Sequence, residues 1–323
     1  MSQAQEPVDV FLIVGSGRCG STLLDRLLGQ SPDIVSAGEL KYLWTGLTDS
    51  GRRCGCGEPV AQCAFWQAVL ERAYGGIDKV PAGLVRAQRW IDQGHYAALL
   101  ALVPFRPRAL TRDLASLKDA LARLFPAIAE VAGVKAVVDS SKTPRGNMLA
   151  SLPGVRLHAI HLVRDSRAVA FSWQRPTASG YRMIHRSLVR SALDWWRINA
   201  GAWFLRRRWG DYVRIRYEDL VANPAETVAR LAARAGLSAP RLDGEGLAVE
   251  LPVNHLVGGN PMRFQHGTVQ IVEDDEWKEK MPAGDRLLVT LLTWPLLLRY
   301  GYPLALAGGR RRRVGKRRGA TDP

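Results

Sequence analysis

The chain has 323 residues, 47% hydrophobic and 23% charged, a balance that suits one folded α/β domain and excludes wholesale disorder. No apolar run reaches the roughly 18 residues of a membrane helix, MSQAQEPVDVFLIV lacks the n-region of a secretory signal, and four cysteines are too few for a disulfide scaffold, so a cytoplasmic protein is expected. The net charge is +15, of which the tail from Arg310 to Pro323 carries +6 and the rest +9, enough to favour a polyanionic ligand.

Val8 to Val14 is a short apolar, β-branched run of the kind that forms a buried strand. It enters a glycine-rich turn, Gly15 to Gly20, and then a stretch from Ser21 to Gln30 with Leu23, Leu24, Leu27 and Leu28 at helical spacing. Ser31-Pro32-Asp33 breaks that helix and Ile34 to Ala37 reads as a second strand. The segment from about Trp66 to Glu130 is rich in Ala, Leu and Arg and has no strand pattern, which predicts a helical insertion over the sheet. Strand patterns return at Val134 to Asp139, Val155 to Val163 and Tyr212 to Tyr217, the last leading into an Ala-rich helix, Pro224 to Ala235. Residues 187–209 and 286–299 read as further helices, and Trp195, Trp196, Trp203 and Trp209 on the first are expected in the core. Alternation of strand and helix gives an α/β fold of three layers with a mainly parallel sheet. One domain over residues 1–306 is expected, followed by a basic, unstructured tail over 307–323.

Gly15-Ser16-Gly17-Arg18-Cys19-Gly20-Ser21-Thr22, set between strand and helix, has the form of a phosphate cradle. Glycines let successive N–H groups turn inward, and the helix N-terminus adds partial positive charge. The frame matches the Walker pattern at Gly15, Gly20 and Thr22, but Ser21 stands where the lysine belongs, which argues against triphosphate hydrolysis. In parallel sheets ligands collect at the carboxyl ends of strands. Following the chain down one helix and up the next strand puts Glu39 on the same rim as this loop, with Lys142 and Arg164 after their own strands.

The segment from Gly17 to Leu23 resembles the 5′-phosphosulfate loop of sulfotransferases that use 3′-phosphoadenosine 5′-phosphosulfate (PAPS), with Cys19 where Ser is usual. Arg164, with Ser172 eight residues on, resembles that family's 3′-phosphate motif, and a fixed guanidinium fork with a hydroxyl donor suits a phosphomonoester. Tyr217-Glu218-Asp219-Leu220 is similar to the family segment whose tyrosine lies by the adenine, and Gly258-Gly259-Asn260-Pro261-Met262-Arg263 to its carboxy-terminal 3′-phosphate loop. The resemblance thus implies a P-loop-type fold and a PAPS site made of Gly17, Arg18, Cys19, Gly20, Ser21, Thr22, Arg164, Ser172, Tyr217 and Arg263. It also implies Glu39 as general base, from a Gly-Glu segment like that of tyrosylprotein sulfotransferases. Lys142 and Arg18 would supply positive charge to the transferred group, with no metal required.

The acceptor implied is a hydroxyl of a small molecule, carbohydrate or lipid, its pocket built by the loop after Glu39, by the 66–130 region and by Arg175 to His185. No nucleic-acid partner is expected, although the Arg-rich tail suits peripheral contact with an anionic membrane. Two other classes stay open: a P-loop kinase or nucleotide hydrolase with Asp139 as a metal-binding acid, and a basic nucleic-acid or membrane-surface binder led by the tail. A histidine base is the alternative to Glu39; His161 reads as a core residue, while His185, His255 and His266 are unassigned. Cys54, Cys56 and Cys63 offer three of the four ligands that structural zinc needs, so they read as a structural or redox-sensitive loop.

Overall fold

The computed structural model describes residues 6–92, 108–142, 146–175, 186–242 and 248–305. Five strands form an all-parallel sheet in the order β2-β3-β1-β4-β5, comprising β1 (Val8–Val14), β2 (Ile34–Ser36), β3 (Ala136–Asp139), β4 (Val155–Val163) and β5 (Asp211–Arg216). β1 is central, pairing Leu12 with Asp139 on one side and Val14 with His161 on the other. Its alternating side chains feed two cores: Val10, Leu12 and Val14 on one face, Phe11 and Ile13 on the other. Burial of both faces explains why the strand is apolar from Val10 onward rather than alternating.

Ser21–Leu28 packs on the Phe11 face through Leu24, Leu27 and Leu28, with the Pro224–Arg234 helix beside it. The opposite face is covered by Arg108–Ala132, through Leu117, Leu121, Leu124 and Ile128. The region expected to sit over the site is therefore largely a layer of the sandwich itself. Its long helix fills the crossover before β3, as right-handed β-to-β connections require. Asp92, at the end of Leu84–Asp92, is the residue of this region that reaches the cleft, among the described residues.

The aromatic helix spans Leu188–Leu205 and packs against Ala283–Arg299. The tryptophans of this helix and of the turn after it divide. Trp195 and Trp209 are buried, Trp209 also bordering the cleft, whereas Trp196 is 44% exposed and faces solvent. Helical spacing groups Trp195 and Trp196 by sequence, yet adjacent residues on a helix point about 100° apart.

A small antiparallel pair, β6 (Ala248–Leu251) and β7 (Gly267–Gln270), frames the carboxy-terminal loop. The buried Arg26 fixes that loop by donating to the carbonyls of Met262 (2.8 Å), Gln265 (2.6 Å) and Pro252 (3.0 Å). None of the helices formed by the described residues is long and apolar enough to cross a membrane. The basic tail, His185 and most of the Arg175 to His185 segment lie outside the described residues.

Candidate active site

The parallel register brings the carboxyl ends of β1, β3, β4 and β5 to one rim. Around a cleft of about 1560 Å³ stand Arg18, Glu39, Lys142, Arg164, Ser172 and Tyr217, with Gly17, Gly20, Ser21 and Thr22 of the loop. The loop fits tightly. A Cβ at Gly15 would lie 2.3 Å from the Leu162 carbonyl oxygen, and one at Gly20 2.5 Å from the Tyr217 ring. Gly20 also has φ 92°, so side chains are excluded there on two grounds. Among the described residues two non-glycines have positive φ, Arg18 (69°) and Lys142 (59°). Both line the cleft. Such a conformation costs roughly 1–3 kcal/mol and concentrates at functional sites.

One cluster contains Arg18, Arg164 and Ser172. Arg18 donates through Nε to the Ser172 hydroxyl (2.9 Å), and Arg164 Nη1 to the Arg18 carbonyl (3.1 Å). Arg164 lies over the Tyr217 ring at 4.4 Å and pairs with Asp274 at 3.0 Å. Its Nε is buried without a hydrogen-bond partner among the described residues, an unsatisfied donor on a residue that lines the cleft. Asp274 also accepts from Arg175. Burial raises the Asp274 pKa, but Arg164 and Arg175 outweigh it and hold the carboxyl below its ordinary range. Burial, then Arg164 and Arg175, push Arg18 down.

The second cluster is Glu39, Lys142, Lys41 and Ser21. Glu39 accepts from Lys142 and pairs with Lys41 at 3.1 Å. Lys142 also donates to the Ser21 hydroxyl at 3.0 Å. The cation missing from the loop at Ser21 is thus delivered from the turn after β3. Burial alone would raise the Glu39 pKa; Lys142 and Lys41 reverse this and leave it below the usual carboxylate value. Glu39 is positioned by the far end of the chain, its N–H donating to the Val257 carbonyl at 2.6 Å.

Two sequence candidates keep their side chains off the cleft. Cys19 is in the loop, but its side chain is fully buried in the Phe11-face core and does not line the cleft; only its backbone belongs to the cradle. Arg263 does not line the cleft either. It is buried, stacks on Phe264 and donates to the Gly259 carbonyl at 2.8 Å, so it shapes the loop whose Gly259 and Asn260 face inward. The Arg18 side chain joins Ser172 rather than the Glu39 cluster. His161 is a core residue as expected, bonded to Tyr212 and Asn199, with burial driving its pKa down to about 4. Asp139 is sealed into its own turn, accepting from Ser141 N (2.9 Å) and the Ser141 hydroxyl.

Sequence reasoning missed Asp274, Lys41 and Trp173. Arg18 lies 5.9 Å and Arg186 4.4 Å from the Trp173 ring. No motif carries these residues, although Trp173 directly follows Ser172 and Lys41 lies two positions after Glu39.

A parallel-sheet α/β protein with a cationic cleft at its strand ends is the class defined so far. Residues 85–241 match the model of the Sulfotransferase family, so this stretch of the chain is similar to that family. Two solved structures share the fold: the sulfotransferase domain of the Synechococcus PCC 7002 olefin synthase (21% identity, TM-score 0.52) and a sulfotransferase domain of the curacin biosynthetic pathway (18%, 0.52). Each alignment covers 94% of this chain and the whole of the other. No curated protein matches. Family and fold together support an enzyme of sulfuryl transfer.

Proposed function

We propose that the chain moves a sulfuryl group from PAPS to a hydroxyl on a partly apolar small-molecule, carbohydrate or lipid acceptor. The observation that carries this reading is the convergence on one cleft of a buried Arg–Arg–Ser cluster and a separate Glu–Lys pair. The first suits a phosphomonoester and the second suits proton removal beside a charge-bearing oxygen. The orphaned Arg164 Nε and the side-chain-free cradle at Gly15 and Gly20 support the fit of an anionic nucleotide.

When bound, PAPS supplies sulfur whose bond to the bridging phosphate oxygen breaks as the acceptor oxygen bonds to it. Arg18, Arg164 and Ser172 would hold the 3′-phosphate, Tyr217 would meet the base, and the backbone from Gly17 to Thr22 would receive the 5′ end. Glu39 takes the acceptor's proton at a carboxylate oxygen, and Lys142 offsets the charge left on the bridging oxygen. In the resting site Lys142 keeps Glu39 weakly basic. Contact of Lys142 with an anionic ligand would draw that charge away and leave a buried, more basic carboxylate. Val189, Leu193, Ile198 and Leu205 of the aromatic helix line the same cleft and suit an apolar acceptor body.

The kinase reading is less well supported, since Ser21 replaces the loop lysine and Asp139 is committed to its turn. A thermal-shift comparison separates the two. The desulfated product PAP should raise Tm in the absence of Mg²⁺, whereas a larger shift with ATP–Mg would overturn the proposal.

A further inference from the structure

Cys54, Cys56 and Cys63 find a fourth partner 192 residues beyond Cys63. His255 brings Nδ1 to 3.3 Å from the Cys63 sulfur and 3.7 Å from the Cys54 sulfur, while Cys56 and Cys63 have their sulfurs 3.7 Å apart. All four ligand atoms lie within 4.8 Å of one another. A tetrahedral zinc ion with bonds of about 2.3 Å to sulfur and 2.0–2.1 Å to nitrogen has ligand–ligand edges of roughly 3.5–3.8 Å. The measured separations sit at that scale. A disulfide would instead need two sulfurs at about 2.05 Å and would leave the remaining thiol and the imidazole without a role.

The surroundings are built to hold this shape. Gly57 turns the chain at φ 96°, with its N–H on the Cys54 carbonyl at 2.9 Å. A Cβ at Gly55 would lie 1.9 Å from Asn254 Oδ1, so glycine is needed where the two segments meet. The Gly55 N–H donates to the Leu256 carbonyl at 3.0 Å. The His255 ring stacks on Phe65 at 4.8 Å, and its carbonyl accepts from Trp66 Nε1 at 2.9 Å.

We propose that Cys54, Cys56, Cys63 and His255 form a structural metal site for zinc, clamping the Gly258–Asn260 loop to the segment that carries Glu39. Three sulfurs and one imidazole are a soft, tetrahedral donor set that selects zinc over magnesium or calcium. Four protein ligands close the coordination sphere, so the role is structural rather than catalytic. Binding releases the three thiol protons and changes no oxidation state. The effect on the cleft follows from distance along the chain. Val257, two residues after His255, exchanges hydrogen bonds with Ala37 and Glu39, and Gly259 and Asn260 line the cleft. The metal site stands on its own geometry and does not depend on the PAPS reading.

The test is the metal content of the full-length protein, freed of any affinity tag, by elemental mass spectrometry, with native thiol titration alongside. About one zinc per chain is expected, with the three thiols unreactive until a strong chelator removes the ion. His255→Ala should lower the zinc content and Cys56→Ser with Cys63→Ser should abolish it, while Glu39→Gln keeps it. Chelation should lower Tm, and Zn²⁺ but not Mg²⁺ should restore it. Cobalt(II) added to the stripped wild-type chain should give thiolate charge-transfer bands, a readout independent of how the variants fold. A metal-free protein without those bands, or a Cys56–Cys63 disulfide in the unreduced peptide map, would overturn the proposal.

Discussion

Arg18 and Arg164 divide their donors between protein and cleft, which sets what their removal should do. A charge-assisted hydrogen bond contributes about 1.5–3 kcal/mol, so Arg18→Ala and Arg164→Ala should each weaken PAP binding by at least tenfold. Calorimetric titration measures this; unchanged affinity in both would remove the cluster from the nucleotide site. Glu39→Gln keeps the size of the side chain and removes its basicity. It should bind PAP nearly as wild type does yet slow transfer by roughly 10²- to 10⁴-fold. Undiminished turnover would assign the base elsewhere. Arg164, Glu39 and Lys142 were legible because each lies within three residues of the end of a strand that the hydrophobic pattern marks. Asp274 and His255 were not, since their partners come from chain segments far away in sequence. Arg263 looked like a ligand residue because a basic side chain beside glycines suits an anion, but its guanidinium donates to the Gly259 carbonyl.

The Ser21–Leu28 helix carries a liability that pH should expose. Asp25 is wholly buried on it, and burial pushes its carboxyl up to about 7. The folded state therefore holds a proton that the unfolded chain releases near pH 4, and stability falls as pH rises from about 4 to 7, by on the order of 4 kcal/mol. His161 on β4 has the opposite sign. Its pKa of about 4 lies below the unfolded value, so its contribution is complete above about pH 6.5 and is lost as pH falls toward 4. The two slopes oppose each other over the same range. Asp25→Asn should raise Tm at about pH 8 and uncover a steeper acid loss below about pH 6.5. Thermal melts across pH decide it; an Asp25→Asn curve parallel to wild type would show that Asp25 does not titrate in this window. Among the elements, strands bounded by polar turns were readable almost to the residue, as with β4. The role of Arg108–Ala132 was not, because a helix pattern reveals its apolar stripe but not the surface that receives it.

The charge of the whole molecule is unevenly distributed along the chain. The tail carries +6 of the +15, while the cleft draws on cations fixed at strand ends. Deleting residues 308–323 should therefore leave PAP affinity within about threefold at moderate salt, where diffuse surface charge is screened and the cleft's own cations remain. A loss of binding on deletion would instead favour a polyanion binder led by the tail. The three-layer architecture was legible from alternation alone. The division of labour between its two ends was not, since no local pattern says which distant segments meet.

The contact between the Glu39 amide and the Val257 carbonyl has a consequence for biosynthesis. A ribosome that has released the first 250 residues has delivered every strand of the sheet, yet the glutamate still lacks the backbone partner that fixes its entry. The molecule can acquire its layers early, while competence must await the delivery of Val257. A chain halted before Val257 is expected to be compact and inert.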